Sequence, residues 1–71
     1  MEIFAKRLKE ARTGNLLTQQ QVADKIGIPL RAYQNYEQYN SSHCEPRQEI
    51  LVKIADILDV SVDFLLGRKE F

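Results

Sequence analysis

Apolar positions along the chain recur at helical spacing, and short polar or glycine-bearing breaks divide them into five groups. Phe4, Leu8 and Ala11 share one face, with Lys6, Arg7, Lys9 and Glu10 between them, which predicts an amphipathic first helix. Thr13-Gly14-Asn15 is expected to end it. Thr18 starts a second helix: its hydroxyl can accept the Gln21 amide while the Gln21 side chain reaches back, a capping box, with Leu17 and Val22 at hydrophobic-staple spacing. Val22, Ala23 and Ile26 form its apolar stripe, and Gly27 follows as a left-handed cap. Pro29, with its preset φ, opens a third helix that fades near Tyr39-Asn40. On that helix Tyr33 and Tyr36 point inward, while Leu30, Arg31, Gln34, Asn35 and Gln38 point outward.

The polar stretch from Asn40 to Glu45 reads as a loop. Pro46 opens a fourth helix whose apolar set, Ile50, Leu51, Ile54, Ala55, Ile57 and Leu58, is broader than one stripe; it should be the most buried. The fifth begins with Ser61 as N-cap and Asp63 in the first turn, repeats the staple with Val60 and Leu65, and stops at Gly67. No strand alternation, internal repeat or linker interrupts this pattern. The expectation is one all-α domain, residues 1–71, of five short helices.

Length and composition narrow the function. A chain of 71 residues buries about 60% of its unfolded surface, too little for a multi-domain enzyme with a lidded cleft. An apolar share of 44% is too high for a disordered chain at zero net charge. The single Cys44 permits no internal disulfide, and no apolar run approaches the roughly 18 residues of a membrane span, so a reducing cytoplasm is expected. His43-Cys44 lacks the further ligands a zinc site needs, and Asp56, Asp59 and Asp63 have no partnered nucleophile, so they read as capping or solvating groups. No enzymatic activity, cofactor or small-molecule ligand is expected.

The informative constellation surrounds Gly27. Ala23 is small enough for two helices to cross closely, Gly27 permits a positive φ in a tight turn, and Tyr33 seals the angle from below. Such an angle lets the second helix of the pair project into a DNA major groove. From Phe4 to Gly67 the chain resembles the lambda-repressor-like family (phage repressor and Cro, XRE-type) of helix-turn-helix proteins. The matching pieces are LKEAR (8–12), LTQQQVADKIGI (17–28), YQNYE (33–37), Pro46 and LVKIADILDVSVDFLLG (51–67). Three features depart from it. Tyr33 replaces a smaller aliphatic, Pro29 replaces a capping Ser or Thr, and the stretch between Glu37 and Pro46 is longer and lacks a glycine.

The resemblance implies a compact five-helix fold with helices 2 and 3 as the helix-turn-helix, and a sequence-specific regulator, a repressor, that binds an inverted-repeat operator as a homodimer. Base contacts are expected from Leu30, Arg31, Gln34 and Asn35: Arg31 suits guanine, Asn35 or Gln34 suits adenine, and Leu30 suits a thymine methyl. Backbone contacts are expected from Gln19, Asn40, Ser41, Ser42 and Arg47. Arg12 and Glu37 are expected to form a buried ion pair joining the first and third helices. The dimer contact is expected near the fourth and fifth helices, where Ile50, Ile57, Phe64 and Phe71 offer spare apolar surface. The setting implied is a prokaryotic cytoplasm, at the nucleoid when bound. A protein-interaction module, such as an antitoxin-like or antirepressor subunit, is the alternative that a neutral, Gln/Asn-rich third helix permits.

The zero net charge is a cancellation. In residues 1–12, Lys6, Arg7, Lys9 and Arg12 outnumber Glu2 and Glu10 by two; residues 13–44 balance; residues 45–71 carry two excess acids.

Overall fold

The computed structural model describes residues 2–70 as five helices: α1 Glu2–Gly14, α2 Gln19–Ile26, α3 Leu30–Glu37, α4 Gln48–Leu58 and α5 Val62–Leu65. No strand occurs among the described residues, and no helix among them is long and apolar enough to cross a membrane. Helix α1 packs on α3 and α5, α2 on α3 and α4, and α4 on α5. The stripes meet in one core of Phe4, Leu8, Ala11, Val22, Ala23, Ile26, Tyr33, Ile54, Ala55, Leu58 and Leu65.

The helix starts follow the local signals. Gln21 N–H donates to Thr18 Oγ1 (3.1 Å) while Thr18 N–H donates to Gln21 Oε1 (2.8 Å), closing the capping box. Ser61 Oγ accepts from Phe64 N–H (2.9 Å). Four of the five helix ends, all but that of α3, share a second device, a left-handed residue followed by a backward main-chain bond. It is Leu16 after α1 (φ 59°), Gly27 after α2 (φ 90°), Asp59 after α4 (φ 55°) and Gly67 after α5 (φ 77°). In each case the next residue's N–H donates five residues back: Leu17 to Arg12, Ile28 to Ala23, Val60 to Ala55 and Arg68 to Asp63.

Helix α1 ends at Gly14, inside the expected Thr13-Gly14-Asn15 stop, but Leu16 rather than the glycine takes the left-handed position, because Asn15 is clamped: its Nδ2 donates to Ala11 O (2.7 Å) and to Leu58 O (2.9 Å). Four expectations are corrected. Pro29 caps α3 in extended conformation (ψ 149°) rather than serving as its first helical residue. Helix α3 stops at Glu37, before Tyr39-Asn40, because Gln38 turns extended. Helix α4 starts at Gln48 behind Arg47, with Pro46 outside it. Nor is α4 the most buried helix. Only Ile54, Ala55 and Leu58 are buried, with Ile50, Leu51 and Ile57 half-covered and Val52 exposed, whereas α1 buries Phe4, Ala5, Leu8 and Ala11. The neighbours of α4, α2 and α5, cover one side of it.

Candidate nucleic-acid interface

Three features frame the turn between α2 and α3. Gly27 turns the chain at φ 90° with no atom near the place a Cβ would occupy, so its role is conformational. Lys53 Nζ from α4 donates to Ile26 O (3.0 Å), neutralising the negative end of α2. Tyr33 is 0% exposed and meets Tyr36 edge-on, ring centroids 6.4 Å apart.

Beneath α3 lies a polar knot centred on Glu37. Its Oε2 accepts from Arg12 Nε (2.6 Å) and from the Tyr33 hydroxyl; its Oε1 accepts from Arg12 Nη2 (3.2 Å) and Gln19 Nε2 (3.1 Å). Arg12 Nη1 also donates to Leu17 O (2.9 Å). The side chains are 12% exposed for Arg12 and 3% for Glu37. The Glu37 carboxylate raises the Arg12 pKa by hydrogen bonding. Burial, then the bond to Glu37, pushes the Tyr33 hydroxyl well above the ordinary tyrosine value. Four donors on one carboxylate thus join α1, α2 and α3.

The outer side of α3 shows Arg31 exposed, with Leu30, Gln34 and Asn35 half-buried. Gln34 Nε2 donates to Gln19 Oε1 (3.3 Å). Each polar group of the Gln19 side chain therefore makes one bond within the protein, which leaves one N–H of its NH2, beside its main chain at the start of α2, for a phosphate. Gln20 bonds Asp24 (2.8 Å) along its own helix.

Residues 38–47 fold back on the end of α3. Cys44 N–H donates to Asn35 O (3.1 Å), and His43 Nδ1 and Nε2 lie 2.6 Å from Gln38 O and 2.9 Å from Glu45 Oε2. The Tyr39 and His43 rings sit 5.2 Å apart. Asn40 Oδ1 accepts from Ser42 N–H (2.9 Å), so Asn40 shapes the turn, while Ser41, Ser42 and Arg47 are exposed. The structure thus joins Arg12, Gln19, Gln34 and Glu37 in one cluster. Asn40, Ser41 and Ser42 lie at the opposite end of α3 from Arg31, about 10 Å along an eight-residue helix.

The basic front of the chain is partly spent inside. Arg7 donates to Phe64 O (3.1 Å) and Lys69 O and lies over the Phe64 ring at 4.6 Å, tying α1 to α5 and to the segment after it. Two bonds were within reach of local patterns: Tyr33 stands four residues before Glu37, and Asn15 sits where capping side chains are common. The Gln19–Gln34 and Lys53–Ile26 bonds cross between helices and leave no local signature. Among the described residues no group of His, Cys, Asp and Glu is placed to hold a metal. Of the residues proposed for dimer contact, Ile50, Ile57 and Phe64 are half-buried; Phe71 lies outside the described residues.

Comparison with known proteins adds three findings. A family model described as Helix-turn-helix matches residues 8–65. The cryptic phage CTXphi transcriptional repressor RstR of Vibrio cholerae serotype O1 is 48% identical over 62 residues, covering 87% of this chain and 53% of that protein. The HTH-type transcriptional regulators YqaE and ImmR of Bacillus subtilis are 45% identical over 64 residues (90% of this chain, 53% of YqaE) and 38% identical over 67 residues (94% of this chain, 50% of ImmR). This chain spans about half the length of the curated relatives it matches. No solved structure gives a significant match.

Proposed function

This chain belongs to the helix-turn-helix family, and from that premise we propose that it is a sequence-specific DNA-binding transcriptional regulator that represses by occluding a promoter. The observation that carries this reading is the two-sided build of α3. Its inner side is locked by Tyr33 and the Glu37 knot, while its outer side holds one free guanidinium and two carboxamides. A locked helix with a polar outer face can lie in a major groove and read base edges. In this reading Arg31 pairs with guanine, Asn35 with adenine, and Leu30 meets a thymine methyl. Arg47, Ser41, Ser42 and the main-chain amide of Gln19 approach phosphates.

One helix of eight residues spans few base pairs, so two copies act as a homodimer on an inverted repeat with half-site centres about 34–36 Å apart. The half-covered apolar flank of α4 formed by the i, i+7 pair Ile50 and Ile57 supports a dimer contact there. Gel retardation with operators selected from a random duplex pool tests the proposal. Selected duplexes should be retarded in the presence of competitor DNA, and joint substitution of Arg31 and Asn35 by Ala should abolish site preference with helicity intact. Absence of retardation at low salt refutes DNA binding and favours the protein-docking alternative.

A further inference from the structure

The Glu37 knot reaches the reading surface through a chain of carboxamides, and the chemistry of that chain fixes which atom α3 displays. A carboxylate only accepts hydrogen bonds, so the Gln19 carboxamide at 3.1 Å from Glu37 Oε1 must turn its NH2 inward. The opposite orientation would place two acceptor oxygens against each other. Gln19 Oε1 is thereby left outward as an acceptor, and it takes one N–H of Gln34 at 3.3 Å. Gln34 Oε1 in turn points away from the knot and has no partner among the described residues. Three side chains on two helices hold one oxygen in place.

We propose that Gln19 is a positioning residue for base selection: through the Glu37–Gln19–Gln34 relay it holds the Gln34 carboxamide with its oxygen outward, so that α3 selects a base carrying an exocyclic amine, adenine or cytosine, at one position of each half-site. Adenine N6 and cytosine N4 are the donors the major groove offers, whereas guanine shows acceptors at N7 and O6 and thymine shows O4. A carboxamide free to flip can turn either end toward a base; one whose NH2 is held by Gln19 keeps its oxygen outward, with one remaining N–H at its side that suits adenine N7. This inference rests on the DNA-binding reading above.

The experiment is selection of bound duplexes from a random pool, followed by competition binding with each base at each position, for four proteins. The wild type should prefer an amine-bearing base at one position per half-site by about 5- to 100-fold over guanine or thymine. Gln34→Ala should flatten that position to within about twofold, since the side chain that discriminates there is gone. Gln19→Met should flatten the same position and leave the order of bases elsewhere unchanged, whereas a purely structural role would weaken all sequences alike. Gln34→Glu in the Gln19→Met background should restore the preference, because a carboxylate presents only acceptors however it rotates. Far-UV helicity and melting confirm folding, and Gln19→Ala repeats the test with a smaller side chain. A Gln19→Met profile identical to wild type at that position, or a Gln34→Ala variant that loses no position, overturns the relay. A wild type that selects no sequence overturns the DNA-binding reading itself.

Discussion

Replacing Glu37 by leucine removes the acceptor for four donors at once and provides the sharpest test of what the knot contributes. Arg12 would keep only its bond to Leu17 O, at a site where its side chain is 12% exposed, and the Tyr33 hydroxyl would lose its partner. Breaking a buried pair by removing one member costs about 3–5 kcal/mol. A chain of this length has roughly 4–10 kcal/mol in total, at about 0.05–0.15 kcal/mol per residue. Glu37→Leu should therefore leave the protein marginal. The double variant Arg12→Met/Glu37→Leu removes the stranded charge and should be more stable than Glu37→Leu alone. It still strands the Tyr33 hydroxyl, at a cost of about 1–3 kcal/mol. Adding Tyr33→Phe should recover most of that, bringing the triple variant within about 2 kcal/mol of wild type. Urea unfolding followed by circular dichroism measures all four, with linear extrapolation giving each stability. A double variant less stable than Glu37→Leu would refute the reasoning, since it would mean that Arg12 without its partner still contributes more through its bond to Leu17 O and its packing than its stranded charge costs.

Three further outcomes follow from the backbone and the buried hydroxyl. Leu16 holds φ 59° while 90% exposed, so Leu16→Gly relieves roughly 1–2 kcal/mol of left-handed strain, loses no burial, and should raise the melting temperature by a few degrees; a lowered value contradicts this. Gly27→Ala meets nothing and should cost only the strain of its φ, about 1–2 kcal/mol, whereas a Cβ on Gly67 would lie 2.9 Å from Ile3 Cγ1 and should cost more; calorimetry giving the reverse order overturns that comparison. The Tyr33 pKa is raised in the folded state, so its contribution is complete below the unfolded value near 10 and is lost as pH rises above it. The loss should be about 1.4 kcal/mol per pH unit, absent in Tyr33→Phe; parallel urea midpoints for the two proteins between pH 8 and 11 would show that the hydroxyl is not held protonated.

Legibility in the sequence tracks the range of the interaction. The Thr18-Gln21 box, the Ser61 cap and the Gly27 turn are each decided within a few residues, so residue type and spacing suffice to place them. Leu16 shows where that logic fails. Gly14 carries the sequence signal for a helix end and is the last helical residue, yet the left-handed position falls two residues later, on Leu16, because Asn15 must reach both Ala11 O and Leu58 O, the latter on α4. The breadth of the α4 apolar set indicated burial, but burial depends on how many neighbours surround a helix, and α4 has them on one side. Gln19 is the instructive case at the site. Its place at the start of α2 suits a phosphate, yet Glu37, eighteen residues away, competes for the same NH2 group. Only the folded arrangement of α2 against α3 decides that competition.

The same committed groups bear on how a chain of zero net charge can hold a polyanion. Of the four cations in residues 1–12, Arg7 is tied to Phe64 and Lys69, and Arg12 to Glu37, leaving Lys6 and Lys9 exposed on α1. Arg31 is the only cation on α3, and Arg47 stands exposed at the start of α4. In the proposed complex Arg31 at a guanine edge and Arg47 at a phosphate both bring a cation into the counterion atmosphere of the duplex, so a two-fold complex carries four such cations, and log K should fall against log salt with a slope near −4, at about −0.9 for each. A strongly basic repressor shows a slope near −10. Filter binding to a selected operator across a salt series measures it, and Arg47→Gln should make the slope shallower by about two for the dimer. A wild-type slope steeper than about −6 would mean that Lys6 and Lys9 also face the DNA. The basic N-terminal segment would then be part of the binding surface rather than solvated cover for α1. A slope near −4 leaves the carboxamides and guanidinium of α3, held by an interior ion pair, as the main source of affinity.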